Sequence, residues 1–381
     1  MAVVESEVYV FARLAAPGLG DLVQRNIAFA LLRRAYPEAA ITVVTGRSLA
    51  ARFGEFFARH SYATAVLPCP DPGEQDADGW ARFTERLAIG GAQVCFVDPD
   101  SRGLGAAEAR QAGIPVRLGL PGPGVRVGDL THPLRLPRPV FGLPDLFDHA
   151  SALAGALGLP GRLRAHEVVP ALPRSGTPPP RLVAGTPRIA VHPGGARHWN
   201  RRWPLGSYAE LCRLVVRHTG ATCYLLGDRS ERDDLLRLAA AVTGAQQGAR
   251  VEVVTDTSLD ATANLLAAMD LLVGNDSSLA HVAAAVRTPT VVVYGPTGTE
   301  FLWTRVYPHH TAVSLRYPCQ AATNPAEDVS VRVCAHGCPL SYTSPDGPYP
   351  RCLTDLAVER VWAAVARRLG ETGARRIEVL S

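Results

Sequence analysis

The stretch LLVGNDSSLAHVAAAV, residues 271–286, reads as a strand, a tight turn and the start of a helix. Leu271 to Gly274 has the length and composition of a buried strand, and Leu279 to Val286 carries a helical apolar pattern. Between them Asn275, Asp276, Ser277 and Ser278 place small polar side chains where a helix exposes its unpaired N–H groups. That end of a helix carries a partial positive charge, and Ser277 and Ser278 add hydroxyl donors, with His281 one turn further on. A diphosphate fits such a corner without lysine or metal. The same residues also suit a capping cluster followed by a core histidine.

Working outward, the next strand, Thr290 to Tyr294, ends in a second small turn, Gly295, Pro296, Thr297 and Gly298. Upstream, Ile189 to His192 runs into Pro193, Gly194 and Gly195 and then a basic and aromatic loop up to Pro204. Its Arg197, Arg201 and Arg202 are placed to neutralise charge on a departing diphosphate. Trp199 and Trp203 suit either stacking over a base or sugar, or packing between domains. Further strands are expected at Thr222–Leu226 and Val251–Thr255, with helices at Tyr208–His218, Glu231–Val242 and Asp260–Ala268.

The first half repeats the alternation. Strands are expected at Val8–Leu14, Ile41–Thr45, Ala65–Leu67, Val94–Val97 and Val116–Leu118, and helices at Leu22–Tyr36, Leu49–Arg59, Trp80–Ile89, Leu104–Ala112 and Asp145–Leu157. Such alternation implies crossovers between parallel strands. Pro121 to Pro139 breaks it and reads as a long irregular segment near an entrance. After the first strand, Gly18, Leu19, Gly20 and Asp21 form a turn that lacks both the third glycine of the dinucleotide fingerprint and the P-loop lysine. Asp21 reads either as a general base for a hydroxyl proton or as a helix cap.

The expected fold is therefore α/β, with two Rossmann-like doubly wound domains facing a central cleft. An amino-terminal domain at 1–165 would bind an acceptor, and a proline-rich linker would span 166–187. A carboxyl-terminal domain at 188–352 would bind a nucleotide sugar, and a helix within 353–381 would pack back on the amino-terminal domain.

The composition supports this reading. The chain has 381 residues, 47% hydrophobic and 19% charged, enough for two globular cores. A net charge of +4 is too mild for a nucleic-acid polymer as partner, and lysine is absent, so all 39 basic side chains are arginines. No apolar run is long enough for a membrane span, and Glu5, Glu7 and Arg13 spoil the start as a signal peptide, so a cytoplasmic location is expected. The eight cysteines do not form a disulfide pattern. Cys319, Cys334, Cys338 and Cys352 form a late group that reads either as a structural zinc or iron site or as reduced thiols in a capping loop.

Taken in order, Gly18-Leu19-Gly20-Asp21, Arg201-Arg202-Trp203-Pro204, Gly274-Asn275-Asp276-Ser277 with His281, and Gly295-Pro296-Thr297 resemble the heptosyltransferase family, glycosyltransferase family nine. The resemblance implies a GT-B fold and inverting, metal-independent transfer of a heptose or similar sugar from an ADP-sugar. It implies Asp21 as catalytic base, with Gly18 and Gly20 in the acceptor-side turn. It further implies Asp276 at the donor sugar, Asn275, Ser277, Ser278, His281, Gly295 and Thr297 around the diphosphate, and Glu231 near the nucleoside. Where the family usually has lysine, this chain has Arg201, which can still hold a diphosphate bidentately. The modest charge favours a small natural product, such as a nucleoside or aminoglycoside, over lipopolysaccharide core as acceptor. A protein O-heptosyltransferase, or a GT-B sugar-nucleotide epimerase or hydrolase, are the alternatives.

Overall fold

The structure is a computed structural model that describes residues 7–11, 18–60, 62–71, 74–99, 104–122, 124–136, 146–161, 163, 172, 179, 182–183, 187–195, 201–295, 306–315, 317, 338 and 349–371. The chain divides into two compact units, with the main boundary between Ser175 and Gly176.

The first unit holds strands β1 (Glu7–Phe11), β2 (Ala40–Gly46), β3 (Ala65–Cys69), β4 (Val94–Val97), β5 (Val116–Gly119) and β6 (His132–Pro133), all parallel, in the order β3-β2-β1-β4-β5-β6. Helices α1 (Leu19–Ala35), α2 (Arg47–His60), α3 (Ala77–Gly90) and α4 (Ala106–Gln111) make the crossovers, and α5 (Leu146–Ala156), after β6, packs against α1. Local chemistry sets the ends. Asp76 accepts from the Gly79 amide at 2.7 Å to start α3, and Gly91, at φ 68°, stops it in the left-handed conformation. Tyr9, Phe11, Phe83, Leu87, Cys95 and Ile114 lie in one core on one side of this sheet.

The second unit repeats the plan with β7 (Arg188–His192), β8 (Thr222–Leu226), β9 (Arg250–Val254), β10 (Leu271–Asn275), β11 (Thr290–Tyr294) and β12 (His310–Ser314), in the order β12-β11-β10-β7-β8-β9. Read from β9 inward, this is the same 3-2-1-4-5-6 order as in the first unit. In both sheets the chain therefore reverses its direction of growth between the first and fourth strands, the place where doubly wound sheets bind ligands beyond their carboxyl ends. Here those pairs are β1 beside β4 and β7 beside β10. Strands β8, β10 and β11 are buried along their whole length, as expected where helices cover both faces of a parallel sheet. The helices are α6 (Leu205–Thr219), α7 (Arg232–Ala245), α8 (Leu259–Ala267), α9 (Ser278–Ala285), α10 (Arg351–Thr354) and α11 (Val358–Glu371).

Several elements depart from the sequence reading. Helix α1 begins at Leu19 rather than Leu22, so Asp21 lies inside its first turn. The irregular segment Pro121–Pro139 contributes β6, a two-residue exposed edge strand with no apolar alternation to reveal it. Helix α11, expected on the amino-terminal domain, instead buries Val361, Trp362, Val365 and Leu369 in the core of the second unit, against α6 and β11. Those four positions form one helical stripe, and each such side chain contributes about 1.5–3 kcal/mol on burial.

Candidate functional site

The second unit carries the denser polar cluster. At the ends of β7 and β10, His192 and Gly274 are register partners across the parallel pair. A Cβ on Gly274 would lie 2.9 Å from the His192 carbonyl oxygen, so only glycine lets the two backbones approach this closely. Gly195 has φ 135°, a conformation suited to glycine, and its Cα faces Ser277 across the turn, with a built Cβ 3.2 Å from Ser277 Cβ.

Asn275 ends β10 with 1% of its surface exposed. Its Oδ1 accepts from the Trp203 backbone amide at 3.0 Å and the Tyr208 hydroxyl at 2.8 Å, and its Nδ2 donates to the carbonyls of Pro193 at 2.6 Å and Gly194 at 3.0 Å. All four hydrogen-bonding positions of the amide are used inside the protein. Asn275, read from sequence as a ligand contact, is thus a clamp joining the turn after β7 to the start of α6.

Asp276 is buried beside it, with its backbone amide donating to the Val293 carbonyl at 3.2 Å. Ser277 caps α9 by position, but its hydroxyl makes no cap bond; it pairs with His192 Nδ1 at 2.9 Å. Ser278 is the first residue of α9 and is half-buried, as is Ser277. Burial, with the Arg202 charge adding to it and Asp228 opposing, holds the His192 pKa down at about 4, so its ring is neutral near pH 7.

His281 is buried, and its Nδ1 pairs with the Tyr307 hydroxyl at 2.8 Å. His310 on β12 joins Thr290 Oγ1 through Nδ1 at 2.8 Å and the Tyr294 hydroxyl through Nε2 at 3.0 Å. Edge-to-face ring contacts link His281 to Tyr307 and Tyr307 to His310. Burial pushes both histidines below their usual range, His281 to about 4 and His310 to about 3. Tyr294 directly precedes Gly295, which is buried at the end of β11. Thr297 lies outside the described residues.

Glu231 closes the other side of the β7 turn. Its Oε1 accepts from the Gly195 amide at 3.2 Å and lies 3.3 Å from Arg202, while Oε2 accepts from the Asp228 amide at 3.1 Å. Arg202 also donates to the Gly195 carbonyl at 2.8 Å, so this guanidinium is engaged in shaping the turn. A cavity of about 40 Å³ beside it is lined in part by Pro193, Gly194, Arg202, Trp203, Glu231 and Tyr349. Arg201 is half-buried and one residue away.

Trp203 is a core residue rather than a stacking platform. Only 1% exposed, it stands edge-on to Tyr208 in the second unit's own core and donates from Nε1 to the Leu356 carbonyl at 3.3 Å. Trp199 lies outside the described residues.

In the first unit Gly18 is the cap residue of α1, and Asp21, half-buried, is the third residue of the helix. Gly20 is buried in the first turn. The Asp21 carboxylate leans over Gly18, where a Cβ would come within 3.1 Å of Oδ2. One turn on, Arg25 forms a buried ion pair with Asp98 at 3.2 Å, beyond the end of β4. Burial raises the Asp98 pKa, while Arg25 and His149 pull it down. A cavity of about 30 Å³ borders Arg25, Asp98 and His149.

Of the late cysteines, Cys338 is half-buried and Cys352 belongs to the second core, while Cys319 and Cys334 lie outside the described residues. Among the described residues no group of three or more His, Cys, Asp or Glu side chains is gathered to hold a metal, and no helix is long and apolar enough to cross a membrane.

Sequence reading missed His192, Tyr208, Tyr307 and His310 as parts of this cluster. His192 was recoverable, since it ends a strand directly before a Pro-Gly-Gly turn; the others come together only through the sheet order.

Comparisons with known proteins bear on this geometry. The profile of glycosyltransferase family 9 (heptosyltransferase) matches residues 151–329, a little under half the chain. Lipopolysaccharide heptosyltransferase 2 of Escherichia coli (strain K12) is 35% identical over 120 residues, 32% of this chain and 34% of that protein. Lipooligosaccharide heptosyltransferase 2 of Haemophilus influenzae is 29% identical over 120 residues, again 32% of this chain and 34% of that protein. The chain thus matches about a third of the length of these curated relatives. Among solved structures, E. coli ADP-heptose LPS heptosyltransferase II superposes with a TM-score of 0.68 at 21% identity, covering 96% of this chain and 99% of that one. E. coli heptosyltransferase WaaC with ADP-2-deoxy-2-fluoro heptose gives 0.59 at 18%, covering 81% and 93%. The fold is therefore that of the GT-B heptosyltransferases, over nearly the whole chain.

Proposed function

We propose that this chain, which carries a glycosyltransferase family 9 (heptosyltransferase) domain at residues 151–329, transfers a heptose from ADP-heptose to an acceptor with inversion. The observation that carries the reading is the corner at the ends of β7 and β10, where the amino-terminal end of α9, Ser277 and a Gly-rich turn stand together at the reversal point of a doubly wound sheet.

In this reading the diphosphate meets the N–H groups at the start of α9, the hydroxyls of Ser277 and Ser278, and Arg201. The ribose lies toward Glu231, and Asp276 contacts the heptose. Gly295 and Thr297 complete the donor turn, with His281 behind it. The acceptor oxygen bonds to the anomeric carbon as the bond from that carbon to the phosphate oxygen breaks, and the electron pair leaves with ADP. Asp21 takes the acceptor proton. Fixed amide dipoles and a guanidinium supply the positive potential that the departing diphosphate needs, so no metal ion is required.

We take the acceptor to be a small hydroxyl- or amine-bearing natural product, such as a nucleoside or aminoglycoside. A net charge of +4 and the absence of lysine offer little to a bulky anionic glycolipid. Lipopolysaccharide core is the second reading, favoured by what the names of the relatives say of those proteins.

A melting-temperature panel with ADP-, UDP-, GDP- and dTDP-sugars tests the donor, since a ligand that binds only the folded state raises the transition. Stabilisation by ADP-heptose, followed by acceptor-dependent ADP release that persists in EDTA, is expected. Stabilisation only by UDP- or dTDP-sugars overturns the donor. Rearrangement of the sugar without an acceptor would make the protein an epimerase instead.

A further inference from the structure

At a helix start a serine ordinarily turns its oxygen back to accept from the second or third amide of the helix. Ser277 does not: its hydroxyl lies 2.9 Å from His192 Nδ1, and it makes no side-chain cap bond. The pairing is built in from both sides. His192 is fixed by the register of β7 against β10, only 6% exposed, and Gly195 and Gly274 keep the intervening backbone close.

A neutral imidazole has one N–H and one bare nitrogen, and the ring's charge state here is neutral near pH 7. If Nδ1 is bare, the Ser277 proton is spent on it and the hydroxyl shows only lone pairs to an approaching anion. If Nδ1 carries the proton, Ser277 accepts from it, and its own proton is released for another acceptor. A hydroxyl that already accepts a hydrogen bond is also the better donor, because the two bonds polarise one another.

Resting on the nucleotide-sugar reading above, we propose that His192 is a positioning residue that donates from Nδ1 to Ser277 Oγ and so turns the Ser277 proton toward the phosphate of a bound nucleotide. Binding of the phosphate and choice of the His192 tautomer are then one event. Arg202 and Asp228 are the charged groups that act on the ring, and they oppose one another.

The test is calorimetric titration of ADP and, separately, adenosine into the full chain and its variants. His192→Ala and Ser277→Ala should each weaken ADP about tenfold, the gain typical of one hydrogen bond to a charged group. The double substitution should lose no more than either alone. His192→Asn, whose amide N–H can stand near the position of Nδ1, should keep most of the affinity, and adenosine binding should not change in any variant. Nitrogen-15 spectra of the ADP complex should show His192 as the Nδ1–H tautomer, a readout that needs no substitution to fold. Wild-type affinity in His192→Ala, additive losses in the double variant, a parallel fall for adenosine, or the Nε2–H tautomer would each overturn the proposal. If the wild-type chain binds no ADP, the nucleotide reading itself fails and this proposal falls with it.

Discussion

The hydroxyl of Tyr208 donates to Oδ1 of Asn275 at 2.8 Å, inside the second unit. Through that bond and three others, one amide ties the turn after β7, the end of β10 and the start of α6 into a single block. Asn275→Ala would leave two donors and two acceptors without their partner in a buried place. We expect a loss of about 2–4 kcal/mol, read as a lower urea midpoint. A change under about 1 kcal/mol would show that water or relaxation replaces the clamp.

Gly274→Ala tests the close approach of β7 and β10. The added methyl meets the His192 carbonyl oxygen at 2.9 Å and His192 Cβ at 3.2 Å. Overpacking of that kind costs about 1–3 kcal/mol, and in the proposed reading, where the ends of β7 and β10 hold the donor, ADP affinity should fall along with stability. An unaltered melting curve would mean the sheet opens there without strain.

Asp21→Asn keeps the size of the side chain and removes its ability to take a proton. Turnover should drop by about 100-fold or more, with ADP affinity unchanged within a factor of two, if Asp21 is the base. Near-normal turnover would reduce Asp21 to a residue of the first helical turn.

Stability should depend on pH through the buried histidines. The folded protein holds His281 at about 4 and His310 at about 3, against 6.5 for the ordinary side chain. Between those values the unfolded chain binds protons that the folded chain refuses. The stabilisation is therefore complete above about pH 6.5 and is lost as the pH falls toward 4 for His281 and toward 3 for His310, with a limiting slope of about 1.4 kcal/mol per pH unit for each histidine. Urea unfolding of the wild type and His281→Gln at pH 7, 6 and 5 checks this, because carboxylates common to both proteins cancel in the difference. Parallel curves would place His281 in water-like surroundings.

Much of this fold is legible in the sequence. Strands such as Ile189–His192 and Thr290–Tyr294 announce themselves because a strand covered on both faces is a continuous apolar run ending in glycine or proline. The polar corner at Asn275 to Ser278 was visible for the same reason, as small hydroxyl and amide side chains concentrated between strand and helix. What the sequence hides is which atoms those side chains spend on each other. Asn275 looks like a ligand contact and is a clamp, Trp203 looks like a stacking surface and is core, and Arg202 looks available yet shapes the Gly195 turn. The first two outcomes depend on partners 72 and 153 positions away, brought close by the fold rather than by local pattern, while Arg202 folds back on a carbonyl 7 positions before it. The placement of α11 was missed likewise, since an apolar stripe states that a helix is covered without naming by what.

Helix α11 also bears on how the second unit matures. The bond from Trp203 Nε1 to the Leu356 carbonyl spans 153 positions of sequence, and the stripe Val361, Trp362, Val365 and Leu369 completes a core begun at β7. Contacts so distant along the chain are slow to form, and the apolar faces of α6 and β11 stay uncovered until they do. During synthesis this core cannot close until Val358–Glu371 has left the ribosome, and a stop codon before Val358 would uncover a core whose described strands, β7 to β12, are already made.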